Sequence, residues 1–394
     1  MILAAGTFAQ SSFSTASIGL PALAPAIRGH YRLSLGATGV VLAAIGIGML
    51  FTLLPWGLLA DRFDERVVIA VGLVGAAAAL AFAATTRSFG SLVGALIAAG
   101  ALGASVNAAS GRAIMSWFPS GELGLALGVR QTGVPIGGAV GAGVLPALAS
   151  AGGTRLAFFV LAAACVVGAV ASAALMRGSP ASVEPELVDV GRPLRERRLW
   201  FLGTGTALFL TAQTAITGFV VLFLHEHRHV STHAAAGLLA AINVLAIAAR
   251  IGAGSVSDRM RTRLRPLRVI GLTLAAGTAA VAALTDAPLA ALVPAFLVSG
   301  VLSMSWNGLA FAAAAESAGA ARTGAALGFQ QTLLGVTGAV VPVAFAAVAA
   351  SSWRLAFALA ALGPLVGVAL LQSVREPTRA VRKPGMSAIP PAAR

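Results

Sequence analysis

The sequence predicts an all-α integral membrane protein in which twelve transmembrane helices form two sets of six, related by an internal repeat. This prediction rests on three observations. Of the 394 residues, 58% are apolar and only 10% are charged, whereas soluble domains are about 45–50% apolar and about 25% charged. The apolar residues gather into twelve runs, and the second six runs repeat features of the first six. The composition therefore excludes a water-soluble protein.

Most of the apolar runs are long enough to cross a bilayer, which takes about 20 residues. Backbone polar groups in lipid must bond within their own segment, so each run is predicted to be a helix. The runs lie at 2–27, 35–60, 67–84, 89–115, 123–149, 156–176, 199–224, 234–257, 267–284, 289–315, 325–350 and 355–371.

One long polar segment divides the runs into two groups of six. We expect an N-terminal unit over residues 1–176, a cytoplasmic linker over 177–198 and a C-terminal unit over 199–373. The tail, 374–394, has no apolar periodicity and is predicted to be disordered.

The basic residues predict how the chain is oriented. With both termini in the cytoplasm, the cytoplasmic segments hold 19 of the 27 Lys and Arg residues and the outer loops hold six. Because positive charge concentrates on the cytoplasmic side, both ends are expected there. Heavy use of Ala, Gly and Arg is typical of GC-rich bacterial genomes, so we expect a bacterial plasma (inner) membrane. The net charge of +14 is then mainly a topology signal, and no nucleic-acid partner is expected.

The two sets of six runs share sequence at an offset near 200 residues. Residues 124–132 return as 324–332, and 155–158 return as 354–357. Residues 57–62 return as 254–259 in a looser form. Each pair falls at the same place in its own set, so we infer duplication with parallel topology.

The loop after the second run carries the residues that identify a family. Gly57, Asp61, Arg62 and Arg66 match the pattern G-x-L-x-D-R-x-x-R-R, while Glu65 occupies a position that is usually basic. The fifth run contains Gly-Val-Pro-Ile-Gly-Gly at 133–138, which is similar to a Gly/Pro motif of the same family. With the repeat and the span count, the chain resembles the major facilitator superfamily (MFS) of secondary transporters.

This resemblance implies two six-helix bundles around a central substrate site, with alternating access to the two sides of the membrane. It also implies a monomer whose partners are a small-molecule substrate and the lipid bilayer. We expect no enzymatic activity, because the runs contain no nucleophile constellation or His/Asp/Glu cluster. No metal or cofactor is expected.

Two ionisable side chains, Arg130 and Arg250, lie well inside the runs, and no carboxylate does. Burying such a charge at membrane depth costs about 2.5–3.5 kcal/mol, so each should have a function. In monocarboxylate and oxalate transporters of the superfamily, an arginine at the place of Arg250 looks like a carboxylate clamp. A role in gating or packing remains open. For Arg130, a bond to Glu122 in a gate and a place in the cavity both remain open.

Amide side chains inside the runs complete the predicted substrate site, because amides are disfavoured against lipid. Asn243 precedes Arg250 by two turns and so shares its helix face. Bonding between helices is the alternative for each amide. The others are Gln10, Asn107, Gln131, Gln213, Asn307 and Gln331.

Charges at the cytoplasmic ends of the runs are predicted to form an inner gate that closes in one state and separates in the other. Ordinary interfacial anchoring is the alternative. The residues are Asp61, Arg62, Arg112 and Glu122, with Asp258, Arg259, Glu316 and Arg322 as their second-half counterparts.

We therefore predict a secondary transporter for a small organic anion, a carboxylate, working as symporter, antiporter or uniporter. Two features depart from the monocarboxylate pattern: Ala246 stands where relatives often have an acid, and the first run has no basic residue. Efflux of hydrophobic or cationic compounds is the alternative function.

Overall fold

A computed structural model describes residues 2–117, 123–176, 196–318 and 323–374. Nearly all of the predicted linker and tail lies outside these ranges. Regular structure in the described residues consists of fourteen α-helices. We call residues 2–176 the N-terminal half and residues 196–374 the C-terminal half.

Helices α1 to α7 belong to the N-terminal half. Their bounds are Ile2–Ser17, Leu20–Tyr31, Leu35–Arg62, Glu65–Ala83, Phe89–Trp117, Leu123–Gln131 and Gly133–Leu175. Helices α8 to α14 belong to the C-terminal half. Their bounds are Arg197–Glu226, Thr232–Met260, Leu264–Ala283, Leu289–Ser305, Asn307–Ala318, Thr323–Ala349 and Trp353–Gln372.

Ten helical segments of the described chain are long and apolar enough to cross a membrane. The difference from twelve predicted runs arises at two places. The first run is split into α1 and α2, of 16 and 12 residues. The fifth and sixth runs are joined in α7, whose 43 residues contain a bend where Gly152 and Gly153 leave the helical conformation. Gly153 has φ +68°, a conformation that glycine adopts without the steric cost of a side chain.

Large apolar side chains cover much of the surface, as a lipid-facing protein requires. Phe51 and Leu54 on α3 are 73% and 74% exposed, and Val170 on α7 is 63% exposed. In water such a surface would cause aggregation or bind a partner protein. In a bilayer it faces the hydrocarbon chains of the lipids.

Proline removes a backbone donor inside several of these helices, and at two of the prolines a neighbouring helix supplies a replacement donor. Pro364 in α14 cannot donate to the carbonyl of Ala360. The hydroxyl of Thr211 on α8 donates to that carbonyl instead, at 3.0 Å. The same principle applies at Pro135 in the site described below.

The two halves meet along α3 and α13, α7 and α9, and α2 and α8. Gly39 of α3 lies so close to α13 that an added Cβ would be 2.6 Å from the carbonyl oxygen of Pro342. One buried apolar cluster contains residues of both halves: Leu35 and Ala142 of the N-terminal half, and Phe219 and Ala346 of the C-terminal half. We call this side of the molecule the Glu226 end, and the opposite side, where α9 finishes, the Asp258 end.

Candidate substrate site and charged clusters

Arg130, in the last turn of α6, is 5% exposed and ties together three helices of the N-terminal half. Its Nε donates to the Ser110 hydroxyl at 2.8 Å. Its Nη2 donates to the side-chain oxygen of Gln10 and to the backbone carbonyl of Asn107, both at 3.1 Å. Three predicted site residues, Gln10, Asn107 and Arg130, therefore lie in one polar cluster. Ser110, which completes the cluster, was missed at the sequence level because a lone serine in a helix gives no signal.

The C-terminal half contains a neutral counterpart of this cluster. Gln330 stands 200 residues after Arg130 and is fully buried. Its Nε2 donates to the hydroxyl of Thr206 on α8 at 3.0 Å. The contact between the first helix of a half and its fifth predicted run is thus present in both halves, but with a charge in only one.

Arg250 on α9 is 7% exposed and donates to backbone carbonyls of two other helices. Its Nε and Nη2 both donate to the carbonyl of Met304, at 3.1 and 2.9 Å. Its Nη1 donates to the carbonyl of Gln131, at 2.8 Å. Gln131 belongs to the N-terminal half, so Arg250 joins the two halves.

Both acceptor carbonyls lie at interruptions of a helix. Four residues after Gln131 stands Pro135, which has no N–H to donate, and α6 ends at Gln131 while α7 begins at Gly133. Met304 is the penultimate residue of α11, and the last carbonyls of a helix lack helical donors. Arg250 therefore satisfies acceptors that the helices themselves leave free.

Neither buried arginine pairs with a carboxylate within the described chain. All the partners of Arg130 and Arg250 are neutral carbonyl, amide or hydroxyl oxygens. Neutral acceptors orient a guanidinium without cancelling its charge. The interior therefore holds two positive charges that attract an anion.

The other predicted amides are buried or partly buried, and they make few hydrogen bonds with described residues. Asn243 donates to the carbonyl of Leu239 at 2.8 Å and packs against Gly138 of α7. The side-chain oxygens of Asn243 and Gln213 are buried and have no hydrogen-bond donor among the described residues. The side chains of Gln131, Asn307 and Gln331 are partly buried. They make no hydrogen bond with described residues.

At the Asp258 end, ion pairs form within each half. In the N-terminal half Arg112 pairs with Glu65 at 3.4 Å. In the C-terminal half Arg263 pairs with both Asp258 at 2.6 Å and Glu316 at 3.1 Å. Glu65 and Arg263 were not among the predicted gate residues. Glu65 drew attention only as a departure from the loop pattern, and its partner could not be known before α4 and α5 were placed.

The other predicted gate residues contribute less to the described structure. Arg62 and Arg259 are exposed and form no ion pair with described residues. The side chain of Asp61, and the whole of Glu122 and Arg322, lie outside the described residues.

The charge on Arg263 is reinforced by its surroundings. Burial lowers the pKa of Arg263, but hydrogen bonds and charge interactions with Asp258 and Glu316 outweigh burial and raise the pKa above its ordinary value. This three-residue cluster joins the end of α9 to α12.

At the Glu226 end, one ion pair crosses between the halves. Arg28 of α2 pairs with Glu226 of α8 beside a cleft of about 350 Å³. Nearby, Asp286 accepts from His227 at 3.0 Å and from Arg354 at 2.9 Å. The His227 hydrogen bond and the charge of Arg354 lower the pKa of Asp286. His227 is itself exposed and lies in the loop between α8 and α9.

These observations define a polytopic helical membrane protein with buried cations at helix interruptions, which is a design found in transporters. Comparison with known proteins identifies the family. The Major Facilitator Superfamily model matches residues 4–342. The chain is 32% identical over 358 residues to an uncharacterized MFS-type transporter of Mycobacterium tuberculosis, from strain CDC 1551 / Oshkosh and from strain H37Rv. Each alignment covers 90% of this chain and 80% of the relative. The chain belongs to the Major Facilitator Superfamily and is a multi-pass membrane transporter, not an enzyme.

Solved structures share the fold at low sequence identity. A D-xylose-proton symporter superposes with a TM-score of 0.78 at 16% identity, covering 95% of this chain and 98% of that one. A bacterial homolog of the human lysosomal transporter Spinster, in an inward-facing and occupied conformation, gives 0.74 at 16% identity, covering 94% of both chains. A mutant of the nucleoside transporter NupG gives 0.74 at 13%, covering 93% of this chain and 98% of that one. These likenesses show the fold alone.

Proposed function

We propose that this transporter moves a small organic anion, a carboxylate, across the bacterial plasma membrane by alternating access. The substrate site is proposed to contain Arg250, Arg130 and Asn243, together with the other amides named above. Gln10 and Asn107 would act mainly by orienting Arg130, to which they are bonded.

The observation that carries the proposal is the pair of buried guanidinium groups bonded only to neutral oxygens among the described residues. Isolated charges are costly to bury, and a partner of opposite charge reduces that cost. A guanidinium presents parallel donors that fit a planar carboxylate, and the resulting bond is stronger than one to a neutral carbonyl. A substrate carboxylate would therefore supply the negative charge that the spans lack.

We also propose twelve membrane passes arranged as two six-helix bundles, with both termini in the cytoplasm. The 43 residues of α7 would extend about 65 Å as one straight helix, roughly twice the hydrocarbon thickness of about 30 Å. Its bend at Gly152 and Gly153 supports two passes. The α1–α2 pair, 30 residues from Ile2 to Tyr31, supports one pass with a break at its middle.

The Asp258 end is proposed to be the cytoplasmic gate. Its described ion pairs stay within a half, whereas the Glu226 end has one that joins the halves. This supports a state that is closed at the Glu226 end. Asp61, Arg62, Glu122, Arg259 and Arg322 would join the gate when the Asp258 end closes.

Uptake into liposomes tests the substrate class. Purified protein should accumulate radiolabelled mono- or dicarboxylates, and Arg250→Gln should reduce the rate by at least about 30-fold, because removing one partner of a buried charged bond costs about 2–5 kcal/mol. Arg87→Gln, at an exposed position between α4 and α5, is the control and should transport normally. Normal carboxylate uptake by Arg250→Gln would exclude the anion clamp.

Efflux of hydrophobic or cationic compounds is the second candidate. Phe209 and Trp306 pack edge to face at 5.7 Å, and the Trp306 ring nitrogen is buried without a hydrogen-bond acceptor among the described residues. Both rings are fully buried in this state, so they would contact a flat apolar ligand only after the surrounding helices separate. Transport of lipophilic cations but not carboxylates in the same liposomes would favour this function.

A further inference from the structure

The acceptors of Arg250 belong to two helix interruptions, one in each half. The first lies between α6 and α7, where Pro135 leaves the Gln131 carbonyl without a helical donor. The second lies between α11 and α12, next to Met304. Arg250 itself sits in the uninterrupted α9. One side chain thus connects a helix interruption of each half.

The bond to Gln131 is distinct because it crosses between the halves. Arg130, which is equally buried, bonds only to Gln10, Ser110 and neighbouring atoms of its own half. Arg250 has two bonds to Met304 that hold it within the C-terminal half, and its Nη1 reaches the N-terminal half. Rocking of one half against the other must lengthen or break this bond unless Gln131 moves with α9.

We propose that Arg250 is a strut between the halves, which stabilises the state closed at the Glu226 end and is released when a carboxylate binds its guanidinium. This inference rests on the proposed function for the nature of the releasing ligand and for the closure of the Glu226 end. Charge-assisted bonds to a carboxylate are about twice as strong as those to neutral groups, so the anion draws the guanidinium from the Gln131 carbonyl. Binding would then lower the barrier to rocking through the same side chain that recognises the substrate.

A single cysteine can report separation of the halves at the Glu226 end. Ala346 of α13 is fully buried in the cluster shared by both halves. Ala346→Cys, in a Cys165→Ala background that removes the native thiol, should react with a water-soluble maleimide only when the halves part. Ala76→Cys, fully buried within the N-terminal half, controls for general loosening of the fold.

Without any ligand, Arg250→Gln and Arg250→Lys should each raise the labelling rate of Ala346→Cys by roughly tenfold, the factor that corresponds to about 1.4 kcal/mol. Pro135→Ala restores an N–H that competes for the Gln131 carbonyl, so a smaller rise in the same direction is expected while the arginine charge is kept. Arg268→Gln, which removes an arginine bonded to backbone carbonyls of its own half only, should leave the rate unchanged. Ala76→Cys should remain unlabelled in all of these variants.

Adding acetate, lactate or oxalate to the protein with Arg250 intact should also raise Ala346→Cys labelling, and should have no further effect in Arg250→Gln. Equal ligand-free labelling rates with arginine and glutamine at position 250 would overturn the strut. Carboxylate binding, measured by calorimetry, without faster labelling would overturn the release step. If no carboxylate binds, the proposed function fails, and the ligand-free comparison still decides the strut.

Discussion

The contact between α3 and α13 makes a quantitative prediction about conformational balance. At Gly39 an added methyl group would lie 2.6 Å from the backbone oxygen of Pro342, against an ordinary contact of at least 3.4 Å. The methyl group would therefore be about 0.8 Å too close to this oxygen. This oxygen and the nearby Cβ of Ala346 are both fixed to the backbone of α13 and cannot rotate away, so Gly39→Ala must push the two halves apart. Gly36, three residues earlier on the same helix, meets only the Ser34 hydroxyl at 4.0 Å.

The strain of an added methyl group in a packed interface is about 1–3 kcal/mol, which shifts an equilibrium roughly 5- to 150-fold. We expect Gly39→Ala to raise maleimide labelling of Ala142→Cys, a buried member of the cluster shared by both halves, within that range. Gly36→Ala should leave the labelling rate of Ala142→Cys unchanged. If the two alanine variants label alike, then α3 and α13 are not in steric contact across the halves, and the reasoning is refuted.

Two further predictions concern stability in detergent. At Gly100 of α5 an added methyl group would lie 2.7 Å from the Ile45 carbonyl carbon, while at Gly94 it meets nothing within 4 Å. Gly100→Ala should therefore lower the melting temperature, and Gly94→Ala should not. Equal melting temperatures of the two variants would contradict this. The pKa of Asp286 is lowered by its hydrogen bond to His227, so its contribution to stability is complete above the unfolded-state pKa of about 3.9 and is lost as pH falls through the folded-state pKa. Asp286→Asn should therefore melt below the parent protein at pH 6, and the difference should shrink below about pH 4; a difference independent of pH would count against the pair.

Much of the fold follows from composition, because a chain with so few charges can satisfy its backbone only by forming helices in lipid. The helix interruptions were foreseen in part. Gly152 and Gly153 fall between the fifth and sixth predicted runs, but only the backbone angles show how α7 bends there. The break after Gln131 did carry a signal, since Pro135 stands four residues later, but the signal does not say which side chain will satisfy the freed carbonyl.

The candidate site was predictable in part. Burial of Arg130 and Arg250 away from carboxylates follows from the absence of acids in the runs, and the structure bears this out for the described residues. Their partners are mostly backbone carbonyls, which every residue carries, so sequence cannot distinguish one from another. The predicted set of charged gate residues was incomplete for another reason. Glu65 and Arg263 find partners on helices far away in sequence, and such pairs depend on how helices are packed.

Because Arg130 and Arg250 bond to neutral groups, their charges can respond to the membrane potential. A membrane potential acts on any charge that moves through its field, at about 2.3 kcal/mol per elementary charge per 100 mV. With no acidic partner among the described residues, the two guanidinium groups place net positive charge in that field. A bound monoanion would cancel one of these charges. Empty and loaded protein would therefore respond differently to voltage, and an energised cell would bias one half of the transport cycle more than the other.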